Sequence, residues 1–201
     1  MTVQLDWRDY SADSMPPLLR SAVKTFVEQG YHGTTTRTLA ADAGLSVPGL
    51  YHHFSSKQSI IVAIMQYAMD DLWGRSTAAL VEAGDDTQRR LELHVECLVL
   101  FHAFNRDLAF LAASEIRSLE PDARLAHIAA RDRQERLLDD IVARGQAEGV
   151  FADADRRQVA RAVITMCTGV SQWFSETGPL RAEEVAALYV VLARRMLARG
   201  A

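Results

Sequence analysis

The sequence predicts an all-α protein of about nine helices, and three observations carry that reading. Apolar residues recur at the i, i+3, i+4 spacing of amphipathic helices, as in Leu18, Leu19, Ala22, Val23, Phe26 and Val27. No stretch alternates apolar and polar residues strictly enough, over a useful length, to form a strand. Of the 201 residues 49% are hydrophobic, which supplies a full core. Yet no window approaches the ~18–20 uninterrupted apolar residues of a membrane span. There is no internal repeat and no low-complexity segment.

Taken in order, residues 1–15 read as a flexible N-terminal arm, acidic and without the apolar core of a signal peptide. Trp7 within it reads as a packing residue. Pro16 and Pro17 start a first helix that ends at Gly30. Thr36 is placed to cap a short second helix, with Leu39, Ala40 and Ala43 on one face. Gly44 ends that helix in the left-handed conformation that glycine adopts without a Cβ clash. Ser46 caps a third helix, and Pro48 falls in its first turn, where a missing N–H is harmless. Leu50 and Phe54 turn to the core. Ala40 and Gly44 are four apart, so the third helix can cross closely over the second. A long fourth helix runs from about Ser56 to Glu82. Further helices are expected over 87–102, 108–119, 121–149, 155–176 and 183–199, separated by loops at Gly84–Asp86, Asn105–Asp107, Gly149–Asp153 and Gly178–Pro179.

The short paired helices leave an outward face that suits a nucleic acid. Thr34, Thr35 and Thr36, with helix N-terminal amides, can hold phosphate oxygens. Arg37, Ser46, Val47 and Pro48 share that side, Gly49 allows close approach, and Tyr51 and Lys57 are candidate phosphate donors. His52 and His53 can donate to bases or phosphates. Net charge is −4 and does not point to nucleic acid. In residues 1–60, Arg8, Arg20, Lys24, Arg37 and Lys57 are matched by Asp6, Asp9, Asp13, Glu28 and Asp42. The case rests on motif geometry, with a mildly positive stretch from Arg20 to Lys57.

The run from Leu18 to Ile64 resembles the DNA-binding domain of the TetR/AcrR family of bacterial transcriptional regulators. The matching residues are Ala22, Phe26, Gly30, Gly33, Thr34 to Thr36, Leu39, Ala40, Ala43, Gly44, Ser46, Gly49, Leu50, Tyr51, His53, Phe54 and Lys57. Pro48 and His52 depart from the usual pattern and lie on the reading face. The resemblance implies a helix-turn-helix DNA-binding domain over 16–60 and a ligand-binding and dimerisation domain over 61–201. It also implies a homodimer on a palindromic operator in double-stranded DNA. The last two helices would form the dimer interface, with Val185, Leu188, Tyr189, Leu192 and Met196 as candidates; an ordinary core helix would show the same periodicity. Phe110 to Leu197 is similar to the C-terminal domain of a subgroup that includes steroid- and fatty-acid-catabolism repressors. The similarity rests on EIRSLEPDAR at 115–124, the Trp173-Phe174 pair and GPLRAEEVAALY at 178–189. It implies a hydrophobic small-molecule effector, with an acyl-CoA thioester as one class and an uncharged aromatic or drug-like molecule as another. Candidate lining residues are Met69, Trp73, His94, Phe101, Phe104, Phe110, Trp173 and Phe174, each of which would serve equally as plain core.

No G-x-S-x-G, HExxH, P-loop or dinucleotide fingerprint occurs, so an enzyme is not expected, and no cofactor is implied. His52 and His53 are adjacent on a helix and point in different directions, which argues against a metal pair. Cys97 and Cys167 stand alone within apolar patterns and read as buried thiols. The expected protein is a cytoplasmic, DNA-binding repressor released by an effector. The alternative is a helical interaction protein on the same scaffold.

Overall fold

The computed structural model describes residues 5–11 and 14–199, and these are helical throughout their regular structure. The helices are α1 (Pro17–Gly33), α2 (Thr36–Asp42), α3 (Val47–His53), α4 (Lys57–Ala83), α5 (Thr87–Phe104), α6 (Arg106–Ser114), α7 (Pro121–Ala147), α8 (Arg156–Thr168), α9 (Val170–Trp173) and α10 (Ala182–Met196). A 3-10 turn, Glu115–Ser118, follows α6. Among the described residues no single helix is long and apolar enough to cross a membrane.

Two differences from the expected elements have local causes. The helix expected over 155–176 is interrupted at Gly169, so that α9 is a single turn. The break frees the Ser171 carbonyl, which accepts from Arg106 Nε at 3.0 Å. The helix expected over 108–119 ends early. The Ser118 hydroxyl donates to Glu115 Oε2 at 2.6 Å within the tighter 3-10 turn. Gly30 sits at φ 70° inside α1, so the regular helix stops there as the sequence indicated.

The chain forms two compact units. The head unit comprises Ala12–Asp70 and Asp107–Ala130. Its core joins Leu19, Ala22 and Phe26 of α1 to Leu39 and Ala40 of α2, Leu50 of α3, and Ile60, Ile61 and Ile64 of α4. Leu108 and Leu111 of α6, with Leu119, complete the same core. They bury there because α6 keeps its apolar residues three apart on one face.

The second unit comprises Met1–Ser11, Asp71–Arg106 and Arg131–Ala201. Helix α5 is its centre, with Leu91, Leu93, Val95, Leu98, Val99, Leu100 and Phe101 all buried. A helix apolar around its whole girth must be covered on all sides; α10, α8 and α9 all pack against it.

Residues 5–11 are not loose chain, although the sequence suggested a flexible arm. Trp7 is buried, and its indole N–H donates to Glu82 Oε2 at 2.7 Å. Arg8 bridges Glu82 at 2.8 Å and Glu96 at 2.6 Å. Arg75 Nη1 donates to the carbonyls of Trp7 and Asp9 at 3.0 and 2.9 Å. Tyr10 stacks on Phe104, with ring centroids 4.8 Å apart. The rest of the expected arm at residues 1–4 and 12–13 lies outside the described residues.

Candidate nucleic-acid interface

The helix-turn-helix is built from local chemistry. Thr35, not Thr36, caps α2, and its hydroxyl accepts from the Thr38 N–H at 3.1 Å. Thr36 is the first residue inside the helix. At the other end of α2, the Leu45 N–H reaches Ala40 O at 2.8 Å and the Gly44 N–H reaches Ala41 O at 3.0 Å. These paired bonds form a Schellman motif, which needs a left-handed residue at its corner, and Gly44 supplies it at φ 68°. Ser46 then caps α3, accepting from the Gly49 N–H at 3.1 Å. Leu39 and Leu50 are buried on the inner side, as is Ala40, whose small side chain permits the close crossing.

One further tie was not legible from spacing. Thr25 on α1 is buried, and its hydroxyl lies 2.7 Å from Asp42 Oδ2 and 3.0 Å from Ser21 O. It fixes the C-terminal end of α2 against α1.

The residues named from sequence divide by exposure. Thr35, Arg37, Ser46, Pro48, Tyr51, His52 and His53 are exposed, while Thr36, Val47 and Gly49 are half-buried. The exposed ones lie at the start of α2, at the Ser46 cap and along α3, while Val47 packs against the head core. Two residues depart from this exposed set. Thr34 is buried, and its hydroxyl donates to Gly30 O at 2.7 Å, which takes it off the outer face. Lys57 is half-buried and turned toward the end of α1. Its ammonium donates to Tyr31 O at 2.7 Å and Thr34 O at 2.8 Å, and it lies 4.3 Å from the Tyr31 ring centroid. A cation at a helix C-terminus meets unpaired carbonyls and the negative end of the dipole. Lys57 therefore locks α4 onto the end of α1.

The candidate effector residues are divided between the units. Met69 and Phe110 belong to the head unit, and the other six to the second unit. His94, Phe101 and Phe174 are buried, as is Met69. Trp73 is half-buried under the Arg133 guanidinium, 4.0 Å from its ring. Phe104, Phe110 and Trp173 are exposed, and Trp173 stacks on Tyr189 at 6.4 Å. Burial keeps His94 neutral, pulled down to about 4 by desolvation and then by the Arg90 charge. Glu115 and Arg117 lie on the 3-10 turn, and Arg117 is exposed.

On α10, Val185 is buried in its own unit, which removes it from the expected interface. Leu188, Leu192 and Met196 are exposed, and Val191 joins them, an extension that spacing three residues beyond Leu188 could have supplied. Tyr189 is half-buried.

Comparison with known proteins agrees with this geometry. The family described as bacterial regulatory proteins, tetR family, matches residues 18–64. The tetracyclin repressor-like C-terminal domain matches residues 84–197. The transcriptional repressor KstR2 of Mycolicibacterium smegmatis is 30% identical over 180 residues, covering 87% of this chain and 86% of the relative. The TetR family regulator PfmR of Thermus thermophilus shares 38% identity and superposes with a TM-score of 0.83, covering 90% of this chain and 99% of PfmR. AibR, solved with isovaleryl coenzyme A and operator DNA, has a TM-score of 0.78 at 24% identity, over 87% of this chain and 95% of its own; at that identity the likeness is one of fold. With both halves matched in order and a helix-turn-helix at the matched place, the chain belongs to the TetR family of bacterial transcriptional regulators.

Proposed function

We propose that this regulator is a repressor that binds a palindromic operator as a homodimer and is released by a hydrophobic small molecule. The observation that carries the reading is the outward surface of α3. Pro48, Tyr51, His52 and His53 are exposed there, while Leu50 anchors the same helix in the core. A short, rigidly capped helix presented in this way fits a major groove. The DNA-binding function is assigned to 16–60, with Thr35, Thr36, Arg37, Ser46, Val47, Gly49 and the four exposed α3 residues as contacts. Effector binding and dimerisation are assigned to 61–201, in a cytoplasmic protein. The exposed stripe of Leu188, Val191, Leu192 and Met196 supports a two-fold contact between copies. An acyl-CoA thioester is one effector class, supported by the shared fold of AibR and its isovaleryl coenzyme A complex.

The test is fluorescence anisotropy of the purified protein on the DNA upstream of its own coding sequence. A scrambled duplex serves as control, at two salt concentrations. Sequence-dependent binding that weakens with salt, and that falls at least tenfold in Arg37→Ala and Tyr51→Ala, is the expected result. Binding equal to the scrambled duplex, or unchanged in both variants, would count against it.

A further inference from the structure

The second unit buries a set of uncharged polar groups that DNA binding and dimerisation leave unexplained. Ser76 on α4 is 0% exposed and Gln134 on α7 is 6% exposed. Gln134 Nε2 donates to Ser76 Oγ at 2.6 Å, and that hydroxyl lies 3.9 Å from Cys97 Sγ on α5. The other end of the amide, Gln134 Oε1, has no hydrogen-bond partner among the described residues. His94 lies one turn before Cys97 on α5 and is 0% exposed, and neither of its ring nitrogens has a partner among the described residues. Most buried side-chain polar atoms are paired, because an orphan forfeits its hydration and receives nothing in return. Of the six buried side-chain polar atoms without a hydrogen bond among the described residues of this unit, Gln134 Oε1 and the two His94 nitrogens belong to the residues beside the Ser76–Cys97 contact, and these three point to a missing partner.

The chemistry of that partner follows from the charges. Burial keeps the His94 ring neutral, at about 4, and holds the Cys97 thiol protonated, pushed up to about 12. Arg75, also buried, is already neutralised by Asp71, 3.0 Å from its Nε. Its Nη1 is committed to backbone carbonyls. Among the described residues of this unit, no buried cation is left over to balance an incoming anion.

We propose that Gln134 and His94 are the polar anchor of the effector site and recognise an uncharged oxygen function, a ketone or a hydroxyl, on an otherwise apolar molecule. The proposal rests on the reading that the second unit holds the effector. A neutral imidazole offers one donor and one acceptor, and an amide offers both. A hydroxyl can therefore be satisfied in both directions and a ketone can accept. A carboxylate would enter a desolvated site with no counter-charge.

The test uses the full-length protein, the uncharged dye N-phenyl-1-naphthylamine, and 1-decanol and decanoate as competitors at pH 8. In the wild type the dye binds saturably, decanol displaces it, and decanoate does so at least tenfold less well. Gln134→Leu and His94→Leu keep dye affinity within about twofold and weaken decanol about tenfold, as expected for the loss of one buried hydrogen bond. His94→Leu melts no lower than the wild type, because an apolar side chain of similar size replaces an unpaired polar one, whereas Gln134→Leu also gives up the bond to Ser76 and is expected to melt somewhat lower. Equal displacement by decanol in all three proteins would overturn the anchor and leave the effector reading standing. A melting temperature clearly lowered in His94→Leu would show that its ring is satisfied internally, and would overturn it too. No saturable dye or decanol binding by the wild type would overturn the anchor and the effector reading together.

Discussion

Lys57 shows how one side chain can be committed before any ligand arrives. Its ammonium is held by two carbonyls at the end of α1 and by the Tyr31 ring. Replacing it by methionine keeps the stem and removes those bonds. Lys57→Met is expected to lower stability by about 1–2 kcal/mol, read as a shift in urea midpoint, whereas Tyr51→Ala on the exposed face leaves the midpoint unchanged. A Lys57 variant that loses DNA binding while keeping full stability would return the residue to the phosphate-contact role expected from sequence. His94 and His102 make a pH prediction. Desolvation pulls both down to about 4, against the counter-effect, for His102, of its bond to Leu98 O at 2.7 Å. Above about pH 6.5 both rings are neutral in the folded and the unfolded chain, so their contribution is fully present. Between about 6.5 and 4 the unfolded chain binds protons that the folded chain refuses. Stability then falls by up to ~1.4 kcal/mol per pH unit for each ring. Denaturant midpoints across that window should fall steeply in the wild type and less steeply in His102→Leu.

At the level of elements, the caps and corners are where single atoms decide whether a helix ends in the right place. Thr35→Ala removes the α2 cap and is expected to cost about 1 kcal/mol, against a few tenths for Thr36→Ala; thermal melts of the two variants separate the assignments. Gly145 shows a different constraint. It is buried in the last turns of α7, and the Phe151 ring packs directly on its Cα, leaving no room for a Cβ. The chain reverses there through bonds from the Val150 and Phe151 N–H groups to Gly145 O at 2.8 and 3.0 Å. Gly145→Ala must push Phe151 out, at about 1–3 kcal/mol, and should be the most destabilising Gly→Ala change in the second unit by chemical denaturation.

For the whole molecule, the proposed dimer rests on the uncovered apolar stripe on α10. Leu188, Val191, Leu192 and Met196 are exposed side by side, a pattern that a lone soluble protein seldom keeps without a partner. Leu188→Glu is expected to convert a dimer to a monomer in light scattering coupled to size exclusion, with helix content retained. Operator affinity should fall with it, because a palindrome rewards two linked heads. An unchanged dimer mass would move the interface elsewhere. The Trp7–Arg8 segment is held within the second unit, by Glu82 of α4 and Glu96 of α5.

Much of this protein could be read before it was folded. The helix order, the Gly30 and Gly44 corners, the Ser46 cap and the exposed α3 residues depend on neighbours within about five residues, where backbone hydrogen bonds and helical period leave little choice. The α2 cap moved by one residue for a local reason, but most of what the sequence left open hinges on distant partners. Thr34 and Lys57 turn inward because the end of α1 needs capping from outside itself. Trp7 is buried by Glu82, far along the chain, and residues 107–130 join the head because Leu108, Leu111 and Leu119 find their core among α1 and α4. Val185 and Leu188 have the same hydrophobicity and the same helical spacing, yet one faces its own core and the other faces out. Periodicity names an apolar face; it takes the packed neighbours to say which part of that face is already covered.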